Sequence, residues 1–326
     1  MKIDNIELGD KPVFFAPMED ISDPSFRRIC KDFGADMMYT EFISSDGLIR
    51  DAEKSLRKLK IADYERPVGI QIYGKHVDAM VEAAKRCEEA KPEIIDLNFG
   101  CPVKRVAGKG AGAGLLQNLP LLIEITKEVV NAVKTPVTVK TRLGWDETSK
   151  PIVELAEQLQ DVGIAALTIH GRTRKQMYKG EADWTLIGEV KNNPRMTIPI
   201  IGNGDITNAE IAKEKFEKYG VDAIMIGRAA IGRPWIFRDV KHYLQHNELL
   251  DPILVKDKVD LAKKHLQYSL GWKGDITGVF EMRQHFSNYF KGLRDFKKTR
   301  IRLVTETNPE IIIQILDEIK EKWGDC

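Results

Sequence analysis

The stretch VTVKTRLGWDETSKPIVELAEQLQDVGIAALTIH, residues 137–170, contains one full repeat of the pattern that decides the fold. A β-branched run, VTVKT (137–141), is followed by a helical pattern that begins at TSKPIVELAEQL and ends before Gly163. A second apolar run, ALTIH (166–170), follows directly. This order predicts a strand–helix–strand unit with two parallel strands.

The same unit recurs along the first three quarters of the chain. Eight runs, spaced roughly 25 to 40 residues apart, are predicted as strands: VFFAP (13–17), MMYTE (37–41), VGIQI (68–72), IIDLN (94–98), VTVKT (137–141), ALTIH (166–170), PIIG (199–202) and AIMIG (223–227). Their number and spacing predict an α/β fold, a (β/α)8 TIM barrel. A doubly wound sheet is the alternative, but VFFAPMED (13–20) lacks the glycine pattern that its first turn requires.

The pattern changes after about residue 245. From 247 onward we find no convincing strand, and several helices are predicted, the last of which begins at Asn308 and Pro309. The sequence therefore predicts a barrel domain over 1–245 and a smaller all-helical domain over 246–326.

Composition and charge limit the classes of protein to which this chain can belong. The formal net charge is +1, so any nucleic-acid surface must come from local clustering of basic residues. No apolar run has the length of a membrane span, and the start MKIDNIELGDK lacks the apolar core of a signal peptide, so a cytoplasmic protein is expected. The four cysteines have no metal-binding spacing, and no metal is expected.

Barrels carry their functional groups at the carboxyl ends of the strands. Chemically capable residues at these positions are Met18, Glu19, Gln71, Asn98, Cys101, Lys140, Arg142, His170, Asn203, Asp205 and Arg228. The loops GNGD (202–205) and GRAAIG (227–232) indicate a phosphorylated cofactor, although glycines there also suit tight turns. Lys140 suits either a Schiff base or a positive charge beside a flavin. His170, taken alone, is more typical of a histidine whose hydrogen bonds are satisfied at a strand end.

One cysteine lies where a thiol can meet a substrate. Cys30 and Cys87 fall on apolar helix faces and are predicted to be core residues, whereas Cys101 lies in the loop LNFGCPVKRVAGKGAGAGLL (97–116). The neighbouring basic residues would lower the pKa of its thiol if they approach it. The glycines of this loop do not form a nucleotide-binding pattern, and they favour a mobile basic loop.

Eight segments together resemble the tRNA-dihydrouridine synthases, most closely the bacterial B-type enzymes. In chain order they are APMEDISDPSFR, QIYG, IDLNFGCPVKRV, GAGLL, PVTVKTRLGW, LTIHGRTR, IGNGDI and IMIGRAAIGRPWIF. The resemblance implies an FMN-bound barrel with a tRNA-binding helical domain. NADPH (or NADH) would reduce the flavin, which would then reduce a uridine of tRNA to 5,6-dihydrouridine.

The resemblance also implies roles for single residues. It places Pro17, Met18, Gln71, Lys140, His170, Asn203, Gly204, Asp205, Gly227 and Arg228 at flavin-binding positions, and Cys101 at the position of the proton donor. A proton donor must stay protonated until it reacts, so Lys104 and Arg105 are better assigned to RNA phosphates. Many relatives have a small residue where this chain has Glu19, whose side chain is therefore expected to point away from the flavin.

Further candidates for tRNA contacts lie outside these positions. In RQHFSNYFKGLRDFKKTRIR (283–302) the aromatics are predicted to be core residues, and Lys291, Arg294 and Lys298 fall on another face of one helix. Asn98, Arg142, Arg172 and Arg174 are strand-end candidates near the base. A monomer is expected. The alternatives are an FMN barrel acting on a free pyrimidine, a Schiff-base aldolase using Lys140, and a noncatalytic RNA-binding protein.

Overall fold

The computed structural model describes residues 1–325, and its centre is a closed ring of eight parallel strands. Each strand pairs with the next along the chain, and the first pairs with the last. The ring consists of β3 (Val13–Phe15), β4 (Met37–Tyr39), β6 (Val68–Tyr73), β7 (Ile94–Asn98), β8 (Val137–Arg142), β9 (Ala166–His170), β10 (Ile200–Asn203) and β11 (Ala223–Ile226). The predicted (β/α)8 barrel is therefore confirmed.

The strand bounds differ from the predicted ones by one or two residues at several ends. The first strand ends at Phe15, before Pro17, which has no N–H to donate to a neighbouring strand. Three short strands were not predicted: β1 (Lys2–Ile3) and β2 (Ile6–Glu7) form an antiparallel hairpin, and β5 (Ile43–Ser44) pairs with the end of β6.

The side chains inside the barrel are apolar toward one end and polar toward the other. The apolar part includes Phe14, Met37 and Tyr39, with Ile3 of the β1–β2 hairpin packed against it. Gly69 is required here, because a Cβ atom at this position would lie 2.6 Å from the ring of Tyr39. The other part, toward the carboxyl ends of the strands, is polar. The site must therefore lie at that end.

Helices and short helical turns connect the strands and cover the ring. The helices are α1 (Pro24–Asp32), α2 (Ser45–Ile49), α3 (Glu53–Lys58), α4 (Val77–Glu89), α5 (Lys104–Ala107), α6 (Leu119–Ala132), α7 (Ile152–Asp161), α8 (Thr185–Asn192), α9 (Ala209–Tyr219) and α10 (Ile236–His246). Asn118 caps α6 through its side chain, as its position before Pro120 predicts. Cys30 and Cys87 lie in the core, as predicted.

The remaining chain is helical, as predicted: α11 (Val255–Tyr289), α12 (Lys297–Thr305) and α13 (Pro309–Trp323). Gly274 interrupts α11 with a φ of +74°, and its two halves lie against each other, since Ser269 donates a hydrogen bond to the carbonyl of Gly278. A second core forms here around Phe286, Phe290 and Leu316. The domain boundary near 245 remains a prediction.

The prediction that Lys291, Arg294 and Lys298 share one face of a single helix is wrong. The helix ends at Tyr289, and Gly292 (φ +95°) and Asp295 (φ +56°) turn the chain before α12 begins. Lys291 and Arg294 therefore lie in a turn and Lys298 on the next helix, although all three are exposed. The buried aromatics of this segment are core residues, as predicted.

The barrel and the C-terminal helices are joined by buried polar and aromatic contacts. Phe26 of α1 stacks on His265 and also contacts His285, with ring centroids 5.1 and 4.4 Å away. Lys273, beside the break in α11, forms ion pairs with Asp23 and with Glu281. Among residues 1–325, no helix combines the length and the apolar character that crossing a membrane requires.

Candidate active site

A cavity of about 910 Å³ opens at the carboxyl ends of the barrel strands. It brings together most of the predicted site residues. These are Pro17, Met18, Gln71, Asn98, Cys101, Arg105, Lys140, Arg142, His170, Arg172, Asn203, Gly204, Asp205, Gly227 and Arg228. The predicted site residues that do not line it are Lys104, Arg174, Lys291, Arg294 and Lys298.

The strand register explains why these side chains meet. Gln71 is paired with Asp96 across β6 and β7, and Asn98 with Lys140 across β7 and β8. Asn203 is paired with His170 across β10 and β9. Paired residues of neighbouring strands point to the same face of a sheet. Residues far apart in sequence therefore meet inside the barrel, and all of these except Asp96 line the floor of the cavity.

A hydrogen-bonded chain begins below this floor at a buried carboxylate that the sequence analysis missed. Asp96 is 1% exposed. Its carboxylate oxygens accept hydrogen bonds from Thr138 Oγ1 (2.5 Å) and from Gln71 Nε2 (2.6 Å). Burial raises the pKa of Asp96 to about 6, against the opposing effect of these two donors and of Lys140.

The chain continues from Gln71 to the backbone of the cysteine. Asn98 Nδ2 donates to Gln71 Oε1 at 2.8 Å, and Asn98 Oδ1 accepts from the N–H groups of Gly100 (3.0 Å) and Cys101 (2.9 Å). Asn98 was predicted as a substrate contact. In this structure its amide is occupied by the protein, so it holds the loop that carries Cys101.

The thiol of Cys101 lies at the cavity wall and is 9% exposed. Burial raises its pKa above the ordinary value, and the charges of Arg142 and Arg105 only partly offset this. The neighbouring basic residues therefore do not bring the pKa of this thiol below its ordinary value. A protonated thiol suits a proton donor better than a nucleophile.

Two residues give the cavity floor its electrostatic character. Lys140 is half-buried at the cavity floor, and its partial desolvation lowers its pKa to about 8. Its ammonium group donates to Asn203 Oδ1 at 3.2 Å. Burial lowers the pKa of His170 well below its ordinary value, and the cations around it add to this effect, so its ring is neutral at pH 7. The Nδ1 atom of His170 is buried without a hydrogen-bond partner among residues 1–325.

The predicted contact of Arg142 with the base or the flavin is revised. This side chain is 3% exposed and donates to the carbonyls of Gly100 (2.7 Å), Thr173 (3.0 Å) and Met177 (2.8 Å). Burial lowers its pKa to about 10. Arg142, at the end of β8, therefore braces the loops after β7 and β9.

Two further arginines also have partners within the protein. Arg172, only 2% exposed, binds both carboxylate oxygens of Asp205 at 2.8 and 2.6 Å. Both residues line the cavity, and their predicted contacts with tRNA and flavin stay predictions. Arg174 packs over Trp145, with its guanidinium carbon 4.6 Å from the ring centroid, away from the cavity.

Glu19 reaches the cavity wall, and its carboxylate is paired with Lys58 Nζ at 2.7 Å. This pairing gives a physical reason why a carboxylate is tolerated at this position. Asp20 and Glu41 lie close to it, and this acidic group has the spacing of metal ligands. Lys58 also lies 3.8 Å from Glu41 and balances part of the charge.

A closed parallel barrel with a polar, cationic cavity at the carboxyl ends of its strands has the architecture of a TIM-barrel enzyme. The sequence family described as Dihydrouridine synthase (Dus) matches residues 14–320. The chain belongs to this family, and it is similar to the bacterial B-type enzymes.

Individual relatives agree with this assignment. The tRNA-dihydrouridine synthase B of Proteus vulgaris is 42% identical over 276 residues, which cover 85% of this chain and 85% of that enzyme. The one from Pseudomonas putida is 41% identical over 291 residues, covering 89% and 86%. Histamine dehydrogenase from Rhizobium sp. 4-9 shares the fold with a TM-score of 0.58 at 13% identity, covering 99% of this chain and 65% of that one.

Proposed function

We propose that this protein reduces specific uridines of tRNA to 5,6-dihydrouridine, with FMN as resident cofactor and NADPH as reductant. The observation that carries the proposal is a protonated, nearly buried thiol, Cys101, in the same cavity as Gln71, Lys140 and Asn203. The proposal includes action in the cytoplasm, where tRNA is found, by a monomer that needs no metal.

The residues present fit a flavin mononucleotide, both its ring system and its phosphate. The unpartnered Nδ1 of His170, the ammonium group of Lys140 and the guanidinium group of Arg228 offer polar and cationic contacts to one ligand. Gln71, Lys140, His170, Pro17 and Met18 would hold the ring system. Backbone N–H groups from Asn203 to Asp205 and at Gly227, with the side chain of Arg228, would hold the phosphate. Hydride transfer is the chemistry that the bound flavin supplies.

The chain itself has three tasks in this proposal. Cys101 Sγ donates a proton to the uracil carbon next to the one that accepts hydride, and the thiolate is later reprotonated from water. Lys140 provides positive charge where negative charge develops. The cavity walls exclude water from a uridine that must leave the tRNA stack to enter.

The test separates the two halves of the reaction. Cys101→Ala should retain bound FMN and NADPH oxidation but lose dihydrouridine formation in unmodified tRNA, on the order of 100-fold or more. Cys87→Ala, a thiol buried in the barrel core, is the matched control and should keep both activities. Undiminished dihydrouridine formation by Cys101→Ala would refute the proton-donor role.

The choice of substrate has its own test. Turnover on free uridine compared with unmodified tRNA distinguishes a tRNA enzyme from one acting on a free pyrimidine. Exposed Lys291, Arg294 and Lys298 support the tRNA substrate, because basic side chains bind RNA phosphates. Mass mapping of tRNA from a strain with and without the gene would identify the modified position.

A further inference from the structure

We propose that Asp96 is a positioning residue, which sets the direction of each hydrogen bond that fixes the backbone of Cys101. The proposal rests on the proposed function only for its effect on uridine reduction. Its effect on the backbone of Cys101 is independent of that function. Asp96 itself lies below the cavity floor and does not line it.

The direction follows from what a carboxylate can do. An ionised carboxylate only accepts hydrogen bonds, so Gln71 must turn its NH2 group toward Asp96. The Oε1 atom of Gln71 then faces Asn98, which must in turn donate through its own NH2 group. Only this orientation leaves Asn98 Oδ1 free to accept from the N–H groups of Gly100 and Cys101.

The conditions for this chain are met in the structure. Gln71 is 0% and Asn98 6% exposed, so water does not compete for these amide groups. A pKa of about 6 leaves Asp96 largely ionised above neutral pH, even though it is buried. Thr138 is the second donor to Asp96. It binds Oδ1, whereas Gln71 binds Oδ2, so Thr138 does not alter the direction of the hydrogen bonds between Gln71 and Cys101.

Reversing the ends of the chain tests the direction. Asp96→Asn offers Gln71 either a carbonyl oxygen or an NH2 group, so it no longer fixes the direction. Asn98→Asp removes the donor that Gln71 Oε1 requires. The double variant Asp96→Asn/Asn98→Asp restores one consistent direction, with position 96 donating, position 98 accepting from Gln71, and both backbone N–H groups still bound. Thr138→Val, which removes one bond to Asp96 without reversing any other, is the control. It is measured at a pH high enough to keep Asp96 ionised, because loss of this donor raises the pKa of Asp96 further.

The readout is amide hydrogen exchange at Gly100 and Cys101, measured beside uridine reduction. Each single variant should exchange at least about tenfold faster at these amides and should slow uridine reduction on the order of 10- to 100-fold. The double variant should recover most of the amide protection, and Thr138→Val should match the wild type. The proposal would be overturned if Asp96→Asn left amide protection at Gly100 and Cys101 unchanged, or if the losses of protection simply added in the double variant. A wild type that forms no dihydrouridine would instead refute the proposed function.

A separate observation carries a second proposal, which concerns the rim of the cavity. Ile276 and Phe280 are 89% and 64% exposed, large values for apolar side chains. They lie four residues apart on the second half of α11, and a further four residues lead to Gln284, on the same face. Gln284 Nε2 donates at 2.8 Å to the carbonyl of Asp20, which lines the cavity.

We infer that Phe280 stacks on a base of the bound tRNA next to the uridine that enters the cavity. The guanidinium carbon of Arg283 lies 5.2 Å from the Phe280 ring centroid, so a cation is available beside the exposed ring for a nearby phosphate. Two further exposed basic residues, Lys291 and Arg294, follow α11 along the chain. An exposed aromatic ring with arginine beside it, at the mouth of a site for a flipped base, matches the chemistry of single-stranded RNA.

Substitution of the ring tests this contact. Phe280→Ala should weaken binding of unmodified tRNA on the order of tenfold, whereas Phe280→Trp should retain it, because an aromatic face is what stacking requires. NADPH oxidation without tRNA should be unchanged in both. Leu249→Ala, at another exposed apolar residue, is the control. Wild-type tRNA affinity in Phe280→Ala would overturn this inference while leaving the proposed function intact.

Discussion

Cys101, Gln71, Lys140 and His170 were predicted to share one site because each follows from the strand-end rule for barrels, and the cavity does bring them together. Asp96 was missed because it lies two residues before the strand end, inside an apolar run. The available signal was its spacing of two from Asn98, which places both on the same face of the strand.

The arginines at the site show a different limit of prediction. Arg142 and Arg172 have the spacing of ligand contacts, but their side chains are bound by carbonyls and a carboxylate of the protein. Those acceptors come from loops after other strands. No local pattern reveals them, because the partners meet only when the barrel closes.

At the residue scale we predict an acid limit to uridine reduction near pH 6. The pKa of Asp96 is raised to about 6, so the carboxylate gains a proton as the pH falls through that value. Protonated Asp96 can donate, and it no longer fixes the direction of the hydrogen bonds to Cys101. The rate should fall up to about tenfold per pH unit below 6 in single-turnover measurements with a pre-reduced enzyme.

The groups that face Asp96 do not produce this limit. Lys140, with a pKa of about 8, stays cationic throughout this pH range, and burial raises the pKa of Tyr39 well above its ordinary value. The control is Asp96→Asn, which should be slow at all pH values and should lack the acid limb. An equal limb in that variant would assign the ionisation to another group.

At the scale of single elements, the loop over 97–116 differs from its predicted form. It contains α5 and a 3-10 helix over Gly112–Gln117, and the carbonyl of Cys101 accepts from Ala113 N–H at 3.1 Å. The mobility of this loop over bound RNA stays a prediction. Gly110→Pro is a poor test of it, because Gly110 has a φ of +83° and proline requires about −65°.

A pair of glycine variants is more informative. Gly112 has a φ of +54°, and a Cβ atom there would lie 2.9 Å from Val106 Cγ1 and 3.2 Å from Cys101 Cβ. Gly112→Ala should therefore displace the thiol and slow uridine reduction on the order of 10- to 100-fold. Gly110→Ala has similar backbone strain, but its Cβ atom would meet only Lys75 at 3.8 Å.

We expect Gly110→Ala to cost about 1–2 kcal/mol of stability and little activity. The measurement is the rate of dihydrouridine formation with saturating tRNA, beside the free energy of unfolding of each variant. Equal activity losses in the two variants would show that backbone strain alone, rather than displacement of Cys101, controls the rate.

At the scale of the whole molecule, periodicity predicted the barrel and the helical C-terminal region, because strands and helices repeat with regular apolar spacing. The way α11 folds back at Gly274 and the turn over 290–296 were not predicted. A spacing of three and four residues fits a continuous helix and a broken one equally well. The contacts between distant parts, such as Phe26 with His265 and His285, leave no local pattern.

These buried histidines predict a loss of stability in mild acid. Burial lowers the pKa of His265 to about 4, and that of His285 falls well below its ordinary value. Unfolded histidines bind a proton below about pH 6.5 and the folded ones do not, so stability falls as the pH drops from 6.5 toward 4. For His265 the loss is about 1.4 kcal/mol per pH unit at most.

Other groups at this interface act in the same direction or outside this range. Asp23, which is paired with Lys273, has a pKa lowered to about 2 and loses its stabilising charge only in stronger acid. Urea unfolding at pH 7.5 and pH 5 measures the effect, and His285→Leu should reduce the difference between them. An unaltered difference in both His285→Leu and His265→Leu would contradict the prediction.

The packing of α1 against α11 also has a consequence for synthesis on the ribosome. Phe26 and Cys30 belong to the first helix of the barrel, but their partners His285 and Tyr289 are translated after the last barrel strand. About 40 residues separate His246 from Tyr289, which take on the order of 2–8 s at roughly 5–20 residues per second. During that interval the nascent barrel presents an uncovered apolar face, which makes it a substrate for chaperones that bind exposed hydrophobic surface.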